Sequence, residues 1–276
     1  MQETKRNVTK ENDLQRIKEL RLMDDDFFSE ALDGKTEVVE YILNTVLERD
    51  DIKVKSTKAQ AEYKSATKRS IKLDIQAEDV NGRLMDIEIQ RSDRGSGVRR
   101  ARFHSSMIDR SLLSKGDDFE DLVDTYVIFI TEKDKFGMGI PLYHIERKIS
   151  EMDNALFGDG AHILYVNGEY RNLEHPVGSL MHDFNCKDAK EMVNPLLAEE
   201  VRYLKETEGG RSQMSRILEE MRNEVAEIAK AEGNHEKAVN TALKMIARGR
   251  DSIEEVAEIT GLSLEEVRKL AENQKG

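Results

Sequence analysis

Apolar and polar residues alternate most strictly in SIKLDIQAED and RLMDIEIQR, two runs on either side of Val80-Asn81-Gly82. Ile71, Leu73, Ile75 and Ala77 hold the odd positions of the first run, and Met85, Ile87 and Ile89 those of the second. A period of two predicts a pair of half-buried strands joined as a hairpin. Both apolar sets reach the same side only if odd pairs with odd, because a one-residue slip exchanges the faces. A two-residue Asn-Gly loop would pair Val80 with Arg83 and break that rule. A three-residue loop over 80–82 satisfies it, with Gly82 as the left-handed residue of a type I turn plus bulge. Ile75 then faces Ile87, Leu73 faces Ile89, and Asp74 faces Glu88.

Upstream, LMDDDFFSEAL and KTEVVEYILNTVLERD read as two helices joined at Asp33-Gly34, the second carrying Val38, Val39, Ile42, Leu43, Val46 and Leu47 at helical spacing. DIKVKST alternates as a first strand. After the hairpin, GVRRARFHSSMIDRSLLSKG predicts a helix ending at Gly116, and VDTYVIFIT a buried central strand. IPLYHIER and AHILYVNG are two further strands. This order makes an α/β domain with a mixed sheet over residues 1–195.

Beyond NPLL the pattern changes to one without proline and rich in Glu, Lys, Arg, Ala and Leu. Residues 196–235 predict a long helical connector, broken or kinked near Gly233, and 236–276 a small helical module. In the latter, two short helices flank Gly261, and Ser252 and Ser263 each precede a glutamate by three residues, as two capping boxes. The rhythm is that of a helix–turn–helix. Glu265 and Glu266 at the start of its second helix oppose DNA phosphates, so a packing or dimerisation module is the preferred reading, with a homo-oligomer formed through the C-terminal helices.

The chain has 276 residues, of which 38% are hydrophobic and 36% charged, with mean hydropathy −0.64. A modest core and long solvated helices follow. The single cysteine, Cys186, excludes an intrachain disulfide and fits a reducing compartment. HDFNCKDA shows no nucleophile signature around it. The start, MQETKRNVTKENDLQ, lacks the apolar core of a signal peptide, and no apolar run approaches a membrane span, so no membrane and a cytoplasmic location are expected. A net charge of −12 argues against a nonspecific basic nucleic-acid binder. Yet Lys53, Lys55, Lys58, Lys64, Lys68, Arg69 and Lys72 face Glu62 alone over residues 53–72, and RSDRGSGVRRAR follows the second hairpin strand. The two clusters bracket the hairpin and suit a polyanionic substrate, or else form two solvated faces.

As cross-strand neighbours Asp74 and Glu88 would have Cβ atoms about 4.5–5.5 Å apart, an unfavourable pairing without a counter-ion. A divalent cation reverses the sign. The plain alternative is a solvated sheet face. Lys72 opposite Gln90 and Gln76 opposite Asp86 would add polar rungs.

The spacing of Asp74 with IEIQ at 87–90 resembles the D…(D/E)-x-K signature of PD-(D/E)XK nucleases, with Gln in the Lys position. LMDDDFFSEAL, IKLDIQAEDVNGRLMDIEIQR, RRARFHSSMIDRSLLSKGDDFEDLVDTYVIFIT, HILYVNGEYRN and RYLKETEGG together resemble the PD-(D/E)XK nuclease family transposases, related to recombination-promoting nucleases. The resemblance implies a restriction-endonuclease-like sheet flanked by helices, a DNA substrate, and Mg²⁺- or Mn²⁺-dependent phosphodiester hydrolysis in recombination or transposition. Asp74 and Glu88 would be the acidic metal ligands, the Ile89 carbonyl a third, and Gln90 would stand where the Lys positions the attacking water. Glutamine can hydrogen-bond a water but brings no charge. Many members of this group look as though they carry Gln here. Such nucleases often have another acid on the first core helix, for which Glu37 and Glu40 are candidates or else ordinary exposed acids. Arg102 and His104 are candidate phosphate contacts, although a hydrogen-bonded helix histidine is the commoner case. A weakened relative that binds DNA or protein without cutting, and a regulator acting through the C-terminal helices, are the competing classes.

Overall fold

A computed structural model of the chain describes residues 12–63, 70–91 and 96–273, apart from the side chains of 224, 225 and 228. Lys64, Lys68, Arg69 and Arg94 of the two basic clusters lie outside the described residues. The described residues form two compact units that divide between Ser215 and Arg216.

The first unit opens with a helix over residues 12–19 (α1), followed by α2 (Asp25–Leu32) and α3 (Thr36–Val46). Strands β1 (Val54–Tyr63), β2 (Ile71–Asp79) and β3 (Leu84–Gln90) run antiparallel in order. Helix α4 (Val98–Leu112) then crosses to β4 (Thr125–Thr131), which pairs parallel with β3. After β5 (Leu142–Ile145) and a small hairpin of β6 (Lys148–Ile149) and β7 (Ala155–Leu156), β8 (Ala161–Asn167) inserts between β4 and β5. The result is a six-stranded mixed sheet in the order β1-β2-β3-β4-β8-β5. With its flanking helices it is a mixed α/β fold followed by a helical C-terminal region, as the patterning predicts, and it is restriction-endonuclease-like, as the resemblance implies.

Period and burial agree along these elements. Every residue of β4 is buried, as expected of a strand covered on both faces. Helices α2 and α3 bury Phe27, Phe28, Leu32, Val39, Ile42, Leu43 and Val46 and lie against β1 and β2. Helix α5 (Pro176–Asn185), which strand-like patterning did not foreshadow, lies outside α3, with Phe184 and Phe28 ring centroids 5.9 Å apart. Helix α6 (Pro195–Glu206) touches α2 and α3, so the first unit extends past the boundary expected at 195. The helix predicted to reach Gly116 ends at Leu112, where Leu113 turns extended (φ −109°, ψ 133°) to lead the chain toward β4.

Helix α7 (Glu208–Arg248) is unbroken at Gly233, where a break or kink was expected. An isolated helical glycine costs about 1 kcal/mol relative to alanine, too little to end a helix that its neighbours propagate. Helices α8 (Ile253–Thr260) and α9 (Leu264–Asn273) follow. Ser252 and Glu255 form a reciprocal capping box, Ser263 and Glu266 repeat its hydrogen bonds, and Gly261 closes α8 at φ 71°. Val256, Ala257, Leu262 and Val267 bury against Ala242 of α7, giving this unit a small core of its own. Among the described residues no helix is long and apolar enough to cross a membrane.

Candidate active site

The hairpin turn fixes the register of everything beyond it. Gly82 has φ 81°, and its N–H donates to the Asp79 carbonyl at 3.1 Å. The buried Asp79 carboxylate accepts from the N–H groups of Asn81 and Arg83, each at 2.9 Å, and from Arg83 Nε at 2.7 Å. This is the expected three-residue loop. It sets the pairs Glu78↔Leu84, Ala77↔Met85, Gln76↔Asp86 and Ile75↔Ile87.

The backbone pairing of β2 with β3 stops at that last rung, so the expected ladder pairs Asp74↔Glu88 and Leu73↔Ile89 do not form, and side chains take their place. Asp74 N–H donates to Glu88 Oε1 at 3.1 Å, and Ile89 N–H donates to Asp74 Oδ2 at 2.9 Å. On its other flank β1 is interrupted at Gln60 (φ 55°), between the pairs Ala59↔Ile75 and Ala61↔Leu73. Beyond that interruption Ala61, Ile71 and Leu73 join Ala101, Ile108 and Phe129 in one apolar cluster. Asp74 thus sits at a break in the sheet. Lys72, expected opposite Gln90, lies past the last paired rung and is an exposed partner of Glu62 in β1.

On β3, Asp86, Glu88 and Gln90 alternate with Met85, Ile87 and Ile89, so the three polar side chains share the face that α4 covers. Arg100 on α4 places Nη2 2.6 Å from Glu88 Oε2 and Nη1 3.1 Å from Gln90 Oε1. Its Nε donates to His104 Nε2 at 3.2 Å. A guanidinium only donates, so His104 Nε2 is the acceptor and Nδ1–H is the donor, aimed at Asp86 Oδ2 3.0 Å away. His104 is therefore the hydrogen-bonded helix histidine of the plainer expectation, and it lies inside the acidic cluster. The exposed Arg102 has no part in it. Glu40 holds Lys53 Nζ at 2.7 Å and Val54 N–H at 3.0 Å, which ties α3 to β1 away from the site, and Glu37 is exposed. After burial and Glu88, a charge on Asp25 at the start of α2 also adds to the upward pKa shift of Asp74.

Burial and mutual repulsion dominate the electrostatics. Burial first, then the Glu88 charge, pushes Asp74 up to about 7. Burial and the Asp86 charge push Glu88 up to about 8. Asp86, wholly buried, is raised well above the usual carboxylate range by burial and by Asp74. Among the described residues, the one hydrogen-bond partner of the Asp86 carboxylate is His104, through Oδ2. Asp86 Oδ1 is buried without a hydrogen-bond partner. Asp86, Glu88 and His104 offer ligand atoms within 4.8 Å of one another. Three carboxylates against the Arg100 guanidinium leave two negative charges when all ionise, which one divalent cation balances. Hard oxygen donors, a buried unpartnered oxygen and this charge deficit fit Mg²⁺ or Mn²⁺.

A second cluster, His182, Asp183 and Cys186, is of another kind. Both Asp183 oxygens accept backbone N–H groups, from Val193 at 2.7 Å and Asn194 at 2.8 Å. Burial and the Asp183 charge push the Cys186 thiol up to about 11, which leaves it an unreactive core residue, as its context predicts.

The carboxylate cluster thus stands on a β-hairpin of a mixed sheet and is closed by the following helix. The chain matches the model of the PD-(D/E)XK nuclease family transposases over residues 26–172, more than half its length, and belongs to that family. The matched span runs from α2 past β8 and contains the whole cluster. No curated protein and no solved structure gives a match.

Proposed function

We propose that this protein is a divalent-metal-dependent DNA endonuclease that hydrolyses phosphodiesters in recombination or transposition. Asp74 and Glu88 hold the cation, with the Ile89 carbonyl as a third donor and Asp86 behind them. The ion, when bound, supplies Lewis-acid stabilisation of charge on the phosphate and the departing oxygen. The residues of the chain do the rest. Arg100 and the Asp74 N–H fix the Glu88 carboxylate, and the Ile89 N–H fixes that of Asp74, so the acids hold a set orientation before any ion arrives. Gln90 orients a water by hydrogen bonding.

The observation that carries this reading is the reciprocal pair of bonds between Asp74 and the Glu88–Ile89 segment. Together they hold two carboxylates side by side where β2 and β3 part, in a cluster whose full charge Arg100 alone does not balance. Exposed Lys58, Arg99 and Arg102 add positive charge for a polyanion. Such a substrate would be met in the cytoplasm, where the lone cysteine stays reduced.

A plasmid nicking assay with Mg²⁺ or Mn²⁺ tests it. Wild-type protein should convert supercoiled DNA to open circles or linear forms, EDTA should stop it, and Asp74→Ala should abolish it. DNA bound by both proteins and cut by neither would favour a binding-only relative. We assign the unit around α8 and α9 to packing or self-association, because the first turn of α9 exposes Glu265 and Glu266. A monomer by light scattering would remove the second of these roles.

A further inference from the structure

We propose that Arg100 supplies, from helix α4, the positive charge that the motif lacks at Gln90. The proposal rests on the nuclease reading and names the cation of that same site. Its basis is the cradle around the guanidinium. Glu88 Oε2, Gln90 Oε1 and His104 Nε2 accept from it at 2.6, 3.1 and 3.2 Å, and its Cζ lies 5.7 Å from the centroid of the Phe129 ring. The acceptors come from both β3 and α4, and the ring comes from β4. His104, one turn further along α4, is itself held by the buried Asp86. Such a constellation fixes a planar fork in orientation as well as in place.

Arg100 also stands where an anion would arrive. Its side chain is 39% exposed, whereas that of Glu88 is 1% exposed. A phosphate moving toward the buried carboxylates therefore meets the guanidinium at the mouth of the site. Guanidinium groups recognise phosphate oxygens through paired N–H donors and offset charge that builds up on them during displacement.

The same geometry accounts for the glutamine. An ammonium at position 90 would meet the guanidinium where the Gln90 amide oxygen now accepts a hydrogen bond. One cation fits this place, and α4 provides it. Residues 90 and 100 should accordingly be exchangeable as a pair and costly to change singly.

Single-turnover cleavage of plasmid DNA in Mg²⁺ or Mn²⁺, with DNA affinity and melting measured alongside, tests this on wild type, Asp74→Ala, Arg100→Gln, Gln90→Lys and the double variant. Arg100→Gln should slow cleavage about 100-fold, the scale for losing one donor to a developing charge. Gln90→Lys should slow the wild type about tenfold yet speed Arg100→Gln by about tenfold or more, a reversal of sign that a merely structural Arg100 would not produce. Arg100→Gln cutting within about threefold of wild type overturns the proposal, as does a folded double variant no faster than Arg100→Gln. Wild type no faster than Asp74→Ala overturns the nuclease reading and this proposal with it. Should Arg100→Gln melt early, Arg100→Lys keeps the charge. Cleavage within about tenfold of wild type then supports the proposal, and a folded Lys variant as inactive as Asp74→Ala overturns it.

Discussion

Replacing Glu88 by its amide should stabilise the metal-free protein, and only at a pH where Glu88 would otherwise have to ionise. Burial and the Asp86 charge hold this carboxyl at about 8, against an ordinary value of 4.5. The folded chain keeps a proton that the unfolded chain releases between those limits. Stability is therefore fully present below pH 4.5 and falls as pH rises toward 8. One such group contributes a slope of about 1.4 kcal/mol per pH unit, hence about 5 kcal/mol at most over the whole span. Asp74 and Asp86 titrate together with it, so the cost is shared, and about 2 kcal/mol is the working figure for Glu88 alone. Glutamine, like the protonated acid, keeps one acceptor oxygen, so only one of the two donors, Arg100 or the Asp74 N–H, retains its bond, and it carries no charge to bury. Thermal and urea unfolding of wild type and Glu88→Gln in EDTA, at about pH 5 and about pH 8.5, measures the effect. The two proteins should be nearly equal at the lower pH, with the variant ahead by about 2 kcal/mol, or ~4–8 °C, at the higher. A difference that does not change with pH, or an amide that destabilises at both, would refute the account of the cluster.

Adding Mg²⁺ or Mn²⁺ at about pH 8.5 should raise the melting temperature of wild type and leave Asp74→Ala unmoved, since binding to the folded state alone stabilises it by mass action; calorimetric titration of both gives the same comparison. Gly210 should not tolerate alanine, because an added Cβ would lie 2.1 Å from the Tyr203 carbonyl oxygen. Gly233→Ala, where nothing lies within 4 Å, should instead gain about 1 kcal/mol of helix stability. Urea unfolding of the two variants should move in opposite directions. Lys205 donates to the backbone carbonyls of Lys18, Leu20 and Lys187 from a buried position. Lys205→Met should cost about 2–4 kcal/mol in the same assay, by leaving those carbonyls unpaired.

Much of the fold was legible because its signals are local. The hairpin register followed from parity and one left-handed glycine, and Gly82, the Asp79–Arg83 contacts and the Ile75↔Ile87 pair realise it. The capping box at Ser252 and the left-handed Gly261 are similarly short-range. Prediction failed where tertiary context decides. Helix α5 is only ten residues long and is held by contacts with α3 and by Phe184 against Phe28. The parting of β2 from β3 beyond Ile75 is likewise something a period-two pattern does not encode.

The candidate site divides along the same line. Parity alone puts Asp86 on the Glu88 face of β3, so the third acid could have been found from MDIEIQ; it passed for one more polar rung because alternation does not reveal which face α4 would bury. Asp25 had no such signal, being one of three consecutive acids at a helix start. Arg100 and His104 are a helical i, i+4 pair in a basic segment, which reads as a solvated face until the helix is laid on the sheet. Laid there, the pair changes the meaning of Gln90. In the sequence the glutamine is a missing charge, whereas beside Arg100 it is an acceptor that a lysine could not replace without bringing two cations together. Position 90 therefore has to be read with position 100. A relative with Lys at the first should lack Arg at the second if the charge has moved rather than vanished, and a sequence with both would count against that exchange.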